Sequence, residues 1–477
     1  MSSTAQLSAR DRIVTLLDEN SFVEVGAFVT KRSTDFNLQQ KEIPSDGVIT
    51  GYGIIDGNPV YVYSQDVKAM NGSVGEMHAK KISNLYDLAM KVGAPVIGFV
   101  DCAGLRLEEA TDALAGFGDI YLKQSLASGV IPQITAVFGN CGGGSAISAA
   151  LTDFVFMESK NAKLFVNSPN SILGNNVTKC DTAAASFMAD AGVVDFVSED
   201  EVSLLNSIRE LVMMLPANNE DDASFEECTD DLNRSLQELA SKLDDVTLAL
   251  KDISDHGLLV EIKSTYAKEM VTAFIRLNGM TVGVIANRTA VVGEDGKTIS
   301  KYEDALTTDG CKKAAQFVDF CDAFNIPILT LTNVNGYSAS MDDAKSISVA
   351  AAKLTYAFAN ATVPKINVIT KKAFGSAYIT MNSKHIGADM VFALEDAKVG
   401  TMDATLAAQI MYANQKEEQE QKAKEYDAMQ QSALAAAKRG YVDSIISGES
   451  LRQNVIYAFE MLFTKRESRP SKKHGTV

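Results

Sequence analysis

PQITAVFGNCGGGS (residues 132–145) and PKINVITKKAFGSA (residues 364–377) decide the reading of this chain. Each opens on a proline, runs through a short apolar strand and ends in a turn of residues with little or no side chain. The second follows the first by 232 residues (364 − 132), and the same spacing relates Pro95 to Pro327, Gly104 to Gly336 and Gly143 to Gly375. Scattered prolines and glycines do not keep one spacing at four marks. The chain therefore reads as a duplicated domain with two equivalent turns.

Working outward, VIGFVD, EEATDALAGFGDIYLKQSLAS, QITAVFG and ISAALTD alternate strand with helix, the pattern of an α/β fold with crossover connections and packed layers. Before them, Ser8 to Asp18 reads as an amphipathic helix. GVITGYGIIDGNPVYVYSQ reads as a hairpin turning at Asp56-Gly57, and Gly75 to Val92 as a helix carrying Lys80 and Lys81. The second half repeats the order. VTAFIRLNGMTVGVIAN is a hairpin, Cys311 to Phe324 a helix, IPILTLTN a strand and Ala344 to Ala361 a helix. The hairpin turns stand only 222 residues apart (279 − 57), so about ten residues enter after the second, with TAVVGEDGKTISKYED as the insertion. Asn414 to Arg439, rich in Gln, Glu, Lys and Ala, predicts one long surface helix.

A length of 477 residues suits two cores rather than one. The stretch ANNEDDASFEECTDD carries seven acids and no base. It sets the expected boundaries at 1–216 for the first domain, 217–231 for a linker and 232–477 for the second; an acidic loop inside one domain is the alternative. The net charge of −17 opposes nucleic acid and anionic membrane surfaces as partners. No apolar run approaches the roughly 20 residues of a membrane span, and residues 1–7 lack a signal-peptide core. Six dispersed cysteines without a Cys-x-x-Cys pair, and four dispersed histidines, announce no metal site and fit a reducing cytoplasm.

The turns carry the chemistry. Backbone N–H groups at a helix start have no partner inside the helix and sit at the positive end of its dipole. At Gly143-Gly144-Ser145 and Gly375-Ser376-Ala377 they are positioned to stabilise an oxygen that gains charge, a contribution of about 2.7 to 4 kcal/mol per donor. Close packing of helix on strand is the alternative use of such small residues. GNCGGGS lacks the terminal Gly-Lys-Ser/Thr of a phosphate loop and the dinucleotide glycine spacing. Neither turn is a Gly-x-Ser-x-Gly elbow, and no nucleophile and base pair stands out.

Ordered segments from end to end carry a family resemblance: SARDRIVTLLDENSFVEVGAFV, DGVITGYGIIDGNPVYVYSQD, GEMHAKKI, KVGAPVIGFVD, LASGVIPQITAVFGNCGGG, CDAFNIPILTLTN, YAFANATVPKINVITKKAFGSAY, MNSKHIGAD, AAAKRGYVDSII and KRESRPSKKHGTV. With these the chain resembles the carboxyltransferase subunits of biotin-dependent acyl-CoA carboxylases and decarboxylases, the group of propionyl-CoA carboxylase beta and methylmalonyl-CoA decarboxylase alpha. The resemblance implies two tandem crotonase-type domains. It also implies transfer of a carboxyl group between biotin and an acyl-CoA of the acetyl, propionyl or methylmalonyl class, through a thioester enolate. It places the enolate at Gly143 and Gly144, with Cys141, Gly142, Arg106 and Ile379 near the substrate; a surface salt bridge is the equal alternative for Arg106. The biotin end falls at Ser376 and Ala377, flanked by Gly375 and Tyr378.

Biotin must arrive on a separate carrier, because no Met-Lys-Met attachment signature is present. The implied partners are further copies in a hexamer, whose active sites join the first domain of one subunit to the second of another, a biotin carrier protein, and a biotin carboxylase subunit or a membrane decarboxylase subunit. The implied location is cytoplasmic or peripheral to a membrane complex. Lys80 and Lys81 are weaker candidates for coenzyme A phosphates, with solvated helix charges the preferred reading. The pattern departs from the family at Asn140, at Ile379 and across Asn333 to Met341, the last lying on the biotin side. Two other readings stand beside it: a crotonase-type hydratase or isomerase, and a non-catalytic scaffold that binds acyl-CoA or the carrier.

Overall fold

The computed structural model describes residues 6–32, 35–221, 226–293 and 295–470. The chain divides into two compact units, residues 1–224 and 225–477. Part of the acidic stretch, 222–225, lies outside the described residues.

In the first unit, apolar segments that alternate with helical ones build one eight-stranded sheet. Its order runs Val23–Glu24, Val48–Ile55, Asn58–Gln65, Val96–Cys102, Gln133–Gly142, Phe154–Glu158 and Phe196–Ser198, and Lys163–Phe165 adds to the C-terminal end of Gln133–Gly142. The first three strands pair antiparallel and the others parallel. Val96–Cys102 is buried along its whole length, as a central parallel strand between covering layers must be. The helices Glu76–Val92 and Ala110–Ala127 turn Ile82, Leu85, Tyr86, Phe117 and Ile120 into the same apolar core as Val96, Val100 and Val137. Ser8 caps the helix Ala9–Leu16 with a reciprocal bond to Asp11.

The second unit repeats this sheet strand for strand: Leu259–Ile262, Met270–Leu277, Met280–Asn287, Ile328–Val334, Lys365–Phe374, Met390–Leu394 and Ser444–Ile446, with Lys398–Gly400 joined to Lys365–Phe374. The 232-residue spacing is a spacing of register. Val96 pairs Gln133 where Ile328 pairs Lys365, and Cys102 pairs Cys141 where Val334 pairs Ala373. Both ladders slip at the same place, after Val100 and after Thr332. The two hairpins also match, with positive φ at Asp56 (48°) and Asn278 (51°) before each glycine. The insertion after the second hairpin is an antiparallel ribbon, Ala290–Val292 with Thr298–Lys301.

One expectation fails. Asn414 to Arg439 is not a single surface helix but Gln419–Tyr426, a π turn at Asp427–Gln431 and Ala433–Ala437. Ser432 is extended (ψ 149°) and its side chain caps Ala435 N–H, which breaks the helix. Gln431 is buried and donates to Met402 O. Tertiary bonds override a strong local helix propensity there.

Candidate functional site

In both halves the long parallel strand ends in a glycine in the left-handed half of φ space and then enters a short helix. Gly143 has φ +58° and leads into Gly144–Ala150; Gly375 has φ +61° and opens Gly375–Thr380. A residue with a Cβ would be strained at either position.

One side-chain latch recurs ahead of each turn. The Asp101 carboxylate accepts the N–H of Asn140, three residues before Gly143, and burial pushes its pKa up against the opposing pull of Arg12. Arg12 lies 3.6 Å from Asp101 and pairs with Glu201 at 2.9 Å. At the equivalent places in the second half, Asn333 Oδ1 accepts the N–H of Lys372 at 3.3 Å. The neutral amide does the same work without a buried counter-charge.

The amides sort differently from expectation. The Gly143 N–H donates to Phe165 O at 2.9 Å, so it is spent on the sheet. Gly144 and Ser145 begin the helix, and their N–H groups have no acceptor among the described residues. The unspent pair is thus Gly144 and Ser145, which the 232-residue spacing makes equivalent to Ser376 and Ala377. Gly143 is the hinge that aims them. A Cβ on Gly144 would lie 2.9 Å from Tyr121 Oη and 3.1 Å from the Phe117 ring. Tyr121 Oη itself donates to Gly144 O at 2.8 Å.

Sequence reasoning missed a further donor in each half. Val74 donates to Gly104 O and accepts from Arg106 N, each at 2.9 Å, so Leu105 between them turns its own N–H to the opposite side. Gly104 passes close to Gly142, and Ser145 Oγ donates to Cys102 Sγ at 3.3 Å, which sets this segment beside the first turn. Tyr337 holds the place of Leu105 in the second half, where Ser338 N–H meets Leu306 O at 2.8 Å. The signal was present in the Gly104 and Gly336 marks.

Arg106 is not a substrate ligand. Its side chain is sealed from solvent, paired with Asp46 at 2.6 Å and Glu109 at 2.9 Å, and it donates to Ser73 O at 3.0 Å. A guanidinium so enclosed has nothing to offer a phosphate. Burial pushes the Asp46 carboxyl up despite Arg106, and lowers the adjoining His78 to about 3, so that imidazole is neutral. The Cys141 side chain is fully buried with its thiol pKa pushed up by burial, so only its backbone reaches the turn. Gly142 is buried beside it. Lys81 is buried too, donating to Ser45 O at 3.1 Å, so it is neither a solvated charge nor a phosphate ligand; Lys80 is exposed.

At the second turn Ser376 and Ile379 are exposed, Ala377 and Tyr378 buried. The Tyr378 hydroxyl has no hydrogen-bond partner among the described residues, and burial raises its pKa to about 12. Beside the turn a cleft of about 480 Å³ is lined by Thr289, Tyr302, Asp304, Asn335 and Tyr337, among others. Asp304 pairs with Lys372 at 2.8 Å, three residues ahead of Gly375. Among the described residues, no group of three or more His, Cys, Asp and Glu side chains is placed to hold a metal ion.

The arrangement offers backbone donors in duplicate, which suits the stabilisation of oxyanions. The chain matches the carboxyl transferase domain over residues 2–477. It is 39% identical to methylmalonyl-CoA decarboxylase subunit alpha of Propionigenium modestum, covering 100% of this chain and 94% of that one. It is also 39% identical to the propionyl-CoA carboxylase beta chain of Roseobacter denitrificans, over 99% and 94%. Among solved structures, a transcarboxylase 12S hexamer with hydrolysed methylmalonyl-coenzyme A bound superimposes with a TM-score of 0.93 at 36% identity, covering 99% of this chain and 92% of that one.

Proposed function

The chain belongs to the carboxyl transferase family, and on that premise we propose that it is the carboxyltransferase subunit that moves a carboxyl group between carrier-borne biotin and an acyl-CoA of the propionyl or methylmalonyl class. The observation that carries this reading is the pair of equivalent turns, each with unspent helix-start amides behind a left-handed glycine.

At the first turn the N–H groups of Gly144 and Ser145, with that of Leu105 beside them, hold the thioester oxygen as it gains charge in the enolate. They are fixed by the sheet before substrate arrives, so no reorganisation is needed during reaction. Tyr121, bonded to Gly144 O, holds the turn from behind. At the second turn Ser376 and Ala377 present the matching donors, and a ureido oxygen suits them. The residues present fit such a group: the turn has little side chain to obstruct approach, and the adjoining cleft of about 480 Å³ is polar and open. Biotin, when bound, supplies the carboxyl-carrying nitrogen and takes up the substrate's proton. This explains why His78, neutral and buried, need play no catalytic part.

The assembly that suits this role is a hexamer, the form of the transcarboxylase 12S relative, served by a biotin carrier protein and by either a biotin carboxylase subunit or a membrane decarboxylase subunit. The chain itself has no helix long and apolar enough to cross a membrane among the described residues. The purified protein is expected to decarboxylate methylmalonyl-CoA or malonyl-CoA only when free biotin is added, followed as loss of the acyl-CoA carboxylate. A folded oligomer with no biotin-dependent turnover of either thioester would refute the proposal.

A further inference from the structure

We infer that the Tyr337 hydroxyl is the positioning group of the second turn, tying the segment Asn335 to Ser338 to the helix Gly375–Thr380. The inference rests on the reading of that turn as the biotin-side site. It concerns the stretch from Asn333 to Met341, which the sequence resemblance marks as a departure from the family's pattern.

Three hydroxyls form one chain. Tyr337 Oη lies 3.1 Å from Thr380 Oγ1, and Thr380 Oγ1 lies 3.0 Å from Thr355 Oγ1. Thr355 Oγ1 donates to Ala351 O at 2.8 Å. Because a hydroxyl has one proton, that last bond sets the direction of the others. Thr355 gives its proton to Ala351 O and so accepts from Thr380. Thr380 has then spent its own proton and accepts from Tyr337. The tyrosine is the donor at the head of a chain that joins three elements: the short strand Gly336–Tyr337, the helix behind the second turn and the helix Ile347–Asn360. Thr380 is buried, so its oxygen has no water to replace the phenol.

The first half shows what this chain replaces. Ser148 stands where Thr380 does (380 − 148 = 232), and its hydroxyl donates to Gln124 Oε1 at 3.0 Å, so the tie between the turn's helix and the long helix is shared. Leu105 stands where Tyr337 does and has no hydroxyl. Its segment is held instead by the neighbouring Arg106, locked to Asp46 and Glu109. In the second half Arg106 becomes Ser338, and the buried guanidinium is gone. Downstream, Ser340 and Met341 are exposed. The segment's other ties are the backbone bonds Asn335 N–H to Asp304 O at 2.6 Å and Ser338 N–H to Leu306 O at 2.8 Å, and Ser340 Oγ on Asp343 at 2.7 Å, none of which reaches the helix Gly375–Thr380. Tyr337 also lines the polar cleft beside the turn. One residue thus carries a wall of the cleft, an outward amide and the tie that fixes both against Ser376 and Ala377.

The test uses Tyr337→Phe, Thr380→Val and Thr380→Ser in the full-length oligomer. Loss of one neutral hydrogen bond corresponds to about a 2- to 13-fold change. Tyr337→Phe and Thr380→Val are expected to raise KM for free biotin by that factor while KM for the acyl-CoA stays within about twofold; Thr380→Ser keeps the chain and should match wild type. Independently of turnover, hydrogen exchange of a peptide spanning 375–381 is expected to quicken in Tyr337→Phe and Thr380→Val. Wild-type exchange in both variants, or equal rises in the two KM values, overturns the inference. A wild-type protein that turns nothing over refutes the biotin-side reading instead, and the exchange measurement then still decides whether the tie positions the turn.

Discussion

Replacing Gly144 by alanine tests the first turn with the smallest possible change. Gly144 does not have a left-handed φ, so the backbone itself accepts a side chain. The obstacle is space: the new methyl would sit 2.9 Å from Tyr121 Oη and 3.1 Å from two Phe117 ring carbons. Phe117 is a core residue and cannot retreat, whereas the Tyr121 hydroxyl can, at the cost of its bond to Gly144 O. Overpacking of this kind costs about 1 to 3 kcal/mol. If the strain is relieved by rotating the turn, the Gly144 N–H leaves the enolate oxygen, a loss of about 2.7 to 4 kcal/mol and hence about 100- to 1,000-fold in kcat. KM for the acyl-CoA should move far less, because the donor counts most when charge has developed.

The assay is biotin-dependent decarboxylation of methylmalonyl-CoA, with sedimentation to show that the oligomer persists. Tyr121→Phe added to Gly144→Ala removes the nearest atom and is expected to restore part of the lost rate. Wild-type kcat in Gly144→Ala with an intact oligomer, while faster hydrogen exchange across residues 143–146 shows the turn displaced, would refute the donor assignment.

Gly375→Ala forces a Cβ into a φ of +61° and within 3.2 Å of Thr401 O, a strain of about 1 to 3 kcal/mol; biotin-dependent turnover should fall while acyl-CoA binding, measured by calorimetry, is retained. Arg106→Met leaves Asp46 and Glu109 buried without their counter-ion, so urea unfolding should show a loss of about 3 to 5 kcal/mol. A rise in KM for acyl-CoA in that variant without loss of stability would return Arg106 to substrate binding. Burial lowers the Lys313 amine to about 7 from its ordinary 10.5. Between those values the unfolded chain binds more protons, so stability should increase as pH rises from about 7 toward 10. Lys313→Met should flatten that slope in denaturation curves taken across the range.

Much of the fold was legible because it is written in local chemistry. Proline-led apolar runs, Asp-Gly and Asn-Gly hairpin turns and the constant spacing of the glycine marks are properties of neighbouring residues, and the sheets reproduce them in register. The long helix expected over 414–439 fails because Ser432 and Gln431 find bonding partners elsewhere in the unit. At the site, the presence of two small-residue turns could be read, but not which amides remain free. That depends on Phe165, which comes alongside only when Lys163–Phe165 joins the sheet. Arg106 looked available because Asp46, its partner, lies sixty residues earlier.

By itself, then, the sequence determined the duplication, the two turns and the family, since each rests on residue types at fixed spacing along the chain. The tertiary structure alone decided that the Gly143 N–H is taken by Phe165 O, that the Arg106 guanidinium is enclosed by Asp46 and Glu109, and that Tyr337 is joined to Thr380. The physical reason is common to all three. A hydrogen-bonding group can be spent once, and which partner spends it is settled only when distant segments meet.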